Sequence, residues 1–266
     1  FTAVSLPFAI AWLAAPWAAR FMSQSLQLTP GETLTEQGAQ DLRMAARRTW
    51  RFFETYVTAE DSHLPPDNFQ ETPNPVIAHR TSPTNIGLYL LSIVSAREFG
   101  WLGLADALTR LEDTLNTIGR MEKHHGHLFN WYDTQDLRPL DPRYVSTVDS
   151  GNLAGHFIAL ANACEDWDMA PAAPEFSGVL DIIAIIEANL RNLDDNRRKF
   201  KPLRQQFEAQ LKAIENLVRA SQGKPELAQV RLIELSVQGA SLEGAAQRLE
   251  VELASPKGLD LREWAS

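Results

Sequence analysis

The residues best suited to bind a ligand form a dense group in the middle of the chain, Asn130-Trp131-Tyr132-Asp133-Thr134. An aromatic ring can stack on the apolar face of a sugar, while carboxylate and amide groups form hydrogen bonds with its hydroxyls. The pattern therefore favours a carbohydrate contact by Trp131 and Asp133. The alternative interpretation is that the two aromatic residues belong to a hydrophobic core.

A second polar group, Asp149-Ser150-Gly151-Asn152, follows 15 residues after the last of these and precedes an apolar segment. Asp149 and Asn152 could contact a ligand, or Asp149 or Ser150 could only cap a helix. Glycoside cleavage commonly uses two carboxylates about 5–10 Å apart. Asp133 and Asp149 are therefore a third hypothesis, a hydrolytic pair.

A third polar group, His79-Arg80-Thr81-Ser82-Pro83-Thr84-Asn85, precedes another apolar segment. Ser82-Pro83 predicts a helix start, since serine can cap free amides and proline suits the first turn. Arg80 could clamp an anionic group or anchor a loop through an ion pair.

The histidine run His124-His125-Gly126-His127 suggests metal binding, but zinc sites take well-spaced ligands from more than one element. The run is more typical of solvated imidazoles in a loop, and no metal site is predicted.

Helices must position these groups, because apolar residues recur at three- and four-residue steps along most of the chain. The predicted helices cover residues 36–58, 83–99, 104–118, 179–193, 202–219, 226–237 and 242–253, and a further helix is predicted to start near Asp149. Residues 81–100 resemble residues 148–167 at an offset of 67, with Asn85 aligned on Asn152. Repeated helical hairpins predict an all-α fold, a partial toroid in which these two nearly uncharged helices are buried inner helices.

The charge pattern excludes a nucleic-acid surface. The net charge is −9. Residues 177–266 carry 13 acidic and 13 basic side chains, which leaves 21 acidic and 12 basic ones for residues 1–176. Nucleic-acid binding would require a basic stripe. The single cysteine, Cys164, cannot form an intramolecular disulfide and suits a reducing compartment.

The first 19 residues carry no charge, and Arg20 ends this run. Because a bilayer core needs about 20 apolar residues, residues 1–22 are predicted to be the end of a transmembrane helix. A signal peptide and a buried core helix are the alternatives. Residues 23–35 are predicted to be a linker, residues 36–174 a domain carrying the polar groups, and residues 175–266 a helical extension.

Long strings of the sequence resemble the cyclic β-1,2-glucan synthases. They include Leu64-Pro65-Pro66-Asp67-Asn68-Phe69-Gln70-Glu71, residues 78–88, residues 130–134, Leu137-Arg138-Pro139-Leu140 and residues 148–156. The resemblance covers about residues 50–168, and the uncharged start resembles the end of the membrane region of that family.

The resemblance implies a fragment of a large enzyme of the bacterial inner membrane, with its soluble part in the cytoplasm. The fragment would hold the end of the membrane region and the N-terminal part of a middle, glucoamylase-like (α/α)6 domain. In that family the middle domain is expected to cyclise linear β-1,2-glucan by retaining transglycosylation. The partners implied are the glucan chain, the membrane through residues 1–22, and the other domains of the enzyme.

The catalytic glutamates of the family are expected in Met-Phe-Glu-Tyr and Ser-Glu-Ser motifs, and neither string occurs here. No catalytic residue is therefore assigned, and the isolated fragment is expected to be inactive. The predicted glucan-contacting residues are Arg80, Asn85, Trp131, Asp133, Asp149 and Asn152. No cofactor is expected in this segment, whereas the transferase region of the parent enzyme would use UDP-glucose and a divalent metal. The competing hypothesis is a non-catalytic helical scaffold that links the membrane glycosyltransferase to downstream domains.

Overall fold

A computed structural model of the chain describes residues 2–22, 34–169, 176–191, 200–224, 228–253 and 264. Its helices are α1 Thr2–Met22, α2 Glu36–Tyr56, α3 Pro83–Glu98, α4 Leu104–Arg120, α5 Thr147–Met169, α6 Ser177–Arg191, α7 Phe200–Ser221 and α8 Ala228–Leu253. The strands are β1 Phe69–Gln70, β2 Val76–Ile77, β3 Arg80–Thr81, β4 Lys123–His124, β5 His127–Leu128 and β6 Tyr132–Asp133. The described chain is thus mostly helical, as predicted, with three short antiparallel strand pairs, β1–β2, β3–β6 and β4–β5. The toroid stays a prediction.

The chain divides into two compact units, residues 1–39 and residues 40–266. In the first unit, α1 includes Pro7 and Pro16, and its charge-free stretch ends at Arg20. Within the described ranges, we find no helix that combines the length and the apolar character needed to cross a membrane. The transmembrane prediction for residues 1–22 is therefore not supported. Most of the predicted linker, residues 23–35, lies outside the described residues.

The first hydrophobic core of the larger unit is built from α2, α3, α4, α5 and the loops between them. Trp50 on α2 lies nearly parallel to Tyr89 on α3, with ring centroids 6.4 Å apart. Burial raises the pKa of the Tyr89 hydroxyl, which accepts a hydrogen bond from Arg110 of α4 at 3.4 Å. Cys164 packs against the same core. This core supports the loops that carry the polar groups.

Helices α3 and α5, the two members of the predicted repeat, pack against each other. They approach closely at Gly87, where the methyl carbon of an alanine side chain would stand 2.0 Å from Nδ1 of His156. The prediction that both helices are buried holds for α3 but is wrong for α5. Val148 and Ile158 of α5 are 70% and 66% exposed, because α5 has its main helical contact, among the described elements, on the side that faces α3.

The second hydrophobic core joins α6, α7 and α8. Phe207, Leu211, Ile214 and Val218 on α7 are buried in it, which confirms a bundle core for this stripe. The sequence predicts two helices over residues 226–253, whereas the structure has one, α8. A glycine within a helix costs only about 1 kcal/mol, so Gly239 does not interrupt a helix whose Leu242, Ala246 and Leu249 are buried against its neighbours.

A row of arginines on α2 connects the two cores. Arg43, Arg47 and Arg51 are four residues apart and share one face of the helix. Arg43 donates to both carboxylate oxygens of Asp181 on α6, at 2.9 and 2.7 Å. Trp101 also donates to Asp181, at 2.8 Å, and Asp181 is only 6% exposed.

The next two arginines of the row hold the ring of Trp264, each with its guanidinium carbon 5.0 Å from the ring centroid. The C-terminal helices are therefore attached to α2 at both of their ends.

Candidate functional site

A two-stranded ribbon, β3 paired with β6, forms the centre of the candidate site. Arg80 stands opposite Asp133, and Thr81 stands opposite Tyr132. Because successive side chains of a strand point to opposite faces, Thr81 and Tyr132, both fully buried, face the core. Arg80 and Asp133 then share the outward face.

Asp67, in the loop before β1, brings together three of the six predicted contact residues. Its Oδ2 accepts hydrogen bonds from Nε and Nη2 of Arg80 at 3.1 and 2.8 Å. Its Oδ1 accepts one from Nδ2 of Asn85 at 3.4 Å. The Arg80 guanidinium in turn lies over the Trp131 ring, 4.8 Å from its centroid. An ion pair, an amide and an indole ring thus lie within one continuous set of contacts.

Asn130 links this cluster to the start of α5. With the amide oriented so that all its groups are paired, Nδ2 of Asn130 donates to Oδ2 of Asp149 at 3.0 Å. Its Oδ1 accepts from Trp131 Nε1 at 2.8 Å and from the Tyr144 hydroxyl at 2.7 Å. Asn130 is only 8% exposed. The buried amide therefore fixes the edge of the Trp131 indole and connects it to Asp149.

Asp149 is held by the first turns of two helices. Its Oδ1 accepts a hydrogen bond from Thr84 of α3 at 2.5 Å. Hydrogen bonds from Ser146 and Thr84 lower the pKa of the Asp149 carboxyl. A general acid for glycoside cleavage needs a raised pKa, so Asp149 is unsuited to that role. The capping alternative for Asp149 is wrong, because the side chain of Ser146 accepts the hydrogen bond from the Asp149 amide at 3.2 Å.

The remaining two predicted contact residues are placed differently. Oδ1 of Asp133 accepts from the backbone amides of Gln135 and Asp136, at 2.8 and 3.2 Å, so this carboxylate stabilises its own turn. Asn152 lies exposed on α5, one turn after Asp149. The structure therefore brings Arg80, Asn85, Trp131 and Asp149 into one network and leaves Asp133 and Asn152 beside it. Their roles as glucan contacts stay predictions.

The two aromatic residues of the densest group have separate roles. Tyr132 is fully buried, and its hydroxyl donates to the carbonyl of Glu122 at 2.6 Å and accepts from the amide of Phe129 at 2.7 Å. The interpretation that Tyr132 belongs to a hydrophobic core is therefore confirmed. Trp131 is partly exposed and faces Arg80.

A buried carboxylate anchors the inner side of the ribbon. Asp61 is 5% exposed, and its Oδ1 pairs with Nδ1 of His79 at 2.7 Å and with the Thr134 hydroxyl at 2.5 Å. The Thr134 amide also donates to the carbonyl of His79 at 3.2 Å. These contacts fasten the ribbon to the turn after α2 and so fix where Arg80 stands.

The histidine run forms the β4–β5 hairpin. His124 pairs with His127, and the intervening His125 and Gly126 have positive φ angles of 49° and 86°. Among the residues whose placement is described, no three or more histidine, cysteine or carboxylate side chains group in a way that could hold a metal ion.

Asp67, Asn130 and Thr84 belong to the network but are not among the six predicted contact residues, although Asn130 and Thr84 lie in the polar groups singled out from the sequence. All three lie in or next to the strings that carry the family resemblance. The signal that could have found Asp67 was a carboxylate among polar residues shortly before Arg80. The partner of Thr84 lies 65 positions away in sequence, and no local pattern indicates such a pairing.

The helical segment with its polar ribbon is similar to part of a longer bacterial protein. The similarity covers 98% of the chain. That relative is the cyclic beta-(1,2)-glucan synthase NdvB of Rhizobium meliloti (strain 1021), which is 47% identical over 265 residues. The chain spans 9% of it. The similarity confirms the predicted resemblance to a fragment of a cyclic β-1,2-glucan synthase. No family model matches the chain. The predicted domain boundaries and inner-membrane location stay predictions.

Proposed function

We propose that the chain is a segment of a cyclic β-1,2-glucan synthase and contributes to the glucan-binding cleft of a transglycosylation domain with a partial (α/α)6 toroid. The contact network of Arg80, Trp131, Asn130 and Asp149 carries this proposal. Such sites combine aromatic surface with a few polar groups held in place. Here carboxylates and a buried amide hold both the arginine and the indole.

The electrostatics of the network favour a neutral ligand. Arg80 carries the positive charge nearest to Trp131, and Asp67 compensates it with two hydrogen bonds. Asp133 stands opposite Arg80 on the ribbon, and Asp149 lies beyond Asn130. An anion would meet more carboxylates than cations here, whereas a sugar hydroxyl can donate to one group and accept from another.

A hydrolytic pair of Asp133 and Asp149 has less support. The pKa of Asp149 is lowered, since hydrogen bonds from Ser146 and Thr84 favour its ionised form. Asp133 is engaged by the amides of its own turn. The proposed role of the segment is therefore binding, and transglycosylation in the parent enzyme would need catalytic residues from elsewhere.

A scaffold role for residues 175–266 is the second candidate. The buried Asp181, held by Arg43 and Trp101, favours it, because these contacts fasten α6 to the first core. The C-terminal helices could then support the cleft or other domains of the parent enzyme without touching the glucan.

Titration of the full chain with linear β-1,2-glucan tests the cleft. We expect saturable binding that weakens by about tenfold in Trp131→Ala, which corresponds to about 1.4 kcal/mol. Trp17→Ala is the matched control, since Trp17 is 76% exposed on α1, and it should bind like the parent chain. No binding, or an equal affinity of the Trp131→Ala variant and the parent, would refute the cleft assignment.

A further inference from the structure

The two edges of the Arg80 guanidinium have different surroundings. Nε and Nη2 donate side-on to a single oxygen of Asp67. An arginine has five N–H donors in a fixed planar fork. The end-on edge, formed by Nη1 and the outer hydrogen of Nη2, makes no hydrogen bond to any residue in the described ranges. The Arg80 side chain is 51% exposed, so half of its surface is accessible to a ligand, and the end-on edge holds the donors that remain available.

The Trp131 ring restricts how the guanidinium can turn. The guanidinium carbon lies 4.8 Å from the ring centroid, and the indole edge is fixed in turn by Asn130. One face of the indole is therefore covered by the arginine. On that face a ligand can contact the guanidinium but not the covered ring.

Two parallel donors match two neighbouring oxygens, as in a carboxylate, a phosphate or a vicinal diol. Since Asp67 already compensates the charge of Arg80, and Asp133 shares the outward face of the ribbon, the neutral diol is favoured over the anions. A glucosyl unit inside a 1,2-linked chain keeps its 3-OH and 4-OH free, adjacent and both equatorial. Such a pair can accept both hydrogen bonds. Inversion at C4 keeps the two oxygens neighbours but makes one of them axial, so both can meet the planar guanidinium only if the sugar ring tilts relative to it.

We propose that Arg80 determines sugar specificity by binding the vicinal 3-OH and 4-OH of a glucosyl unit through its end-on edge. Asp67 acts through Arg80 as a positioning residue. This inference rests on the proposed glucan-binding function. It adds a specificity rule, that the site distinguishes gluco from galacto configuration at C4.

The test measures the affinity of the full chain for two probes, a linear β-1,2-glucan oligosaccharide and a matched oligosaccharide whose units are galacto-configured. The parent chain should prefer the glucan. The Arg80→Lys variant keeps the positive charge but loses the two parallel N–H donors of the guanidinium, so its affinity for glucan should fall about fivefold. The preference between the two probes should fall with it. Asp67→Asn should show the same two effects, and Asp67→Glu should restore part of the preference.

Arg138→Lys is the matched control. Arg138 forms an exposed pair with Asp136, from Nε to Oδ2 at 3.0 Å, and this variant should keep both affinity and preference. A general loss of structure in the Asp67 variants would lower the melting temperature and the affinity for both probes together. A lower affinity for glucan and a lower preference, at an unchanged melting temperature, are the signature of a positioning role.

The outcomes separate the two proposals. If the parent binds the glucan but Arg80→Lys keeps its affinity and its preference, the diol inference is overturned and the cleft assignment stands. If the parent does not bind the glucan, both are overturned. If inorganic phosphate competes with the glucan at similar concentration and Arg80→Lys abolishes that competition, the edge is an anion site and the diol inference is again wrong.

Discussion

Substitution of Gly87 by alanine tests the packing that places Thr84 and Asn85 against the start of α5. The added methyl carbon would stand 2.0 Å from Nδ1, 2.9 Å from Cγ and 3.0 Å from Cε1 of His156. Carbon and nitrogen atoms cannot approach so closely, so the imidazole must move. His156 Nδ1 is buried and has no partner within the described part of the chain, which means that no hydrogen bond resists its displacement but the surrounding helix surfaces do.

Two opposing effects set the magnitude. Overpacking a close contact costs about 1–3 kcal/mol. Replacing glycine by alanine inside a helix contributes about 1 kcal/mol in the stabilising direction. Gly87→Ala should therefore lower the free energy of unfolding by up to about 2 kcal/mol. In a His156→Ala background the imidazole is absent, and the same substitution should raise the free energy of unfolding by about 1 kcal/mol. The sign of the effect reverses.

Urea unfolding followed by circular dichroism measures these differences for the parent, both single variants and the double variant. The coupling between the two substitutions should be about 1–3 kcal/mol. Gly155→Ala is the matched control, because Gly155 also lies within a helix but has nothing within 4 Å of the added carbon. It should stabilise the chain by about 1 kcal/mol. An equal effect of Gly87→Ala with and without the His156 imidazole would refute the reasoning.

Two further predictions concern the contacts of Asp181 between the two hydrophobic cores and the dependence of folding stability on pH through Asp149. Asp181→Ala removes the buried carboxylate that accepts hydrogen bonds from Arg43 and Trp101 and should lower the free energy of unfolding by roughly 2 kcal/mol. Glu187→Ala, at the exposed pair with Arg191, should change it by less than about 0.5 kcal/mol. Equal losses in urea melts would contradict the anchoring role. Hydrogen bonds from Ser146 and Thr84 lower the pKa of the Asp149 carboxyl in the folded chain. They therefore stabilise the folded chain fully at pH values above the unfolded pKa of about 3.9. This stabilisation is lost as the pH falls through the lower pKa of the folded state. The stability difference between the parent and Thr84→Val should accordingly be full at neutral pH and shrink in acid, and a pH-independent difference would show that the carboxylate is not involved.

The helices were predictable because their signals are local. Ser82-Pro83 predicts the start of α3, and in the structure the Ser82 hydroxyl accepts the hydrogen bond from the Asn85 amide at 3.2 Å. The apolar stripe centred on Phe207 repeats at helical spacing and is buried as expected. Such patterns depend on side chains within one or two turns of each other, so a single sequence contains them in full.

The site was predictable by residue type but not by partner. Arg80 and Asn85 stood out as polar residues next to a helix start, and Trp131 stood out as an aromatic residue beside a carboxylate and an amide. The structure does bring the three together. Asp67, which accepts hydrogen bonds from Arg80 and Asn85, lies 13 and 18 positions before them in the sequence. The pairing depends on how the loop before β1 folds back, which no spacing rule specifies. For the same reason the exposure of α5 was missed, since its uncharged sequence alone does not show which side is covered.

The arginine row on α2 also affects how the segment tolerates change. Helix α6 begins near Arg43, and Trp264 returns to Arg47 and Arg51 on the same helix face. The described residues between 176 and 264 therefore begin and end at positions one or two helical turns apart on α2. An insertion or deletion inside α7 would shift Phe207 and Leu211 out of the core against which Trp264 also packs, so it would disturb the second attachment together with the bundle.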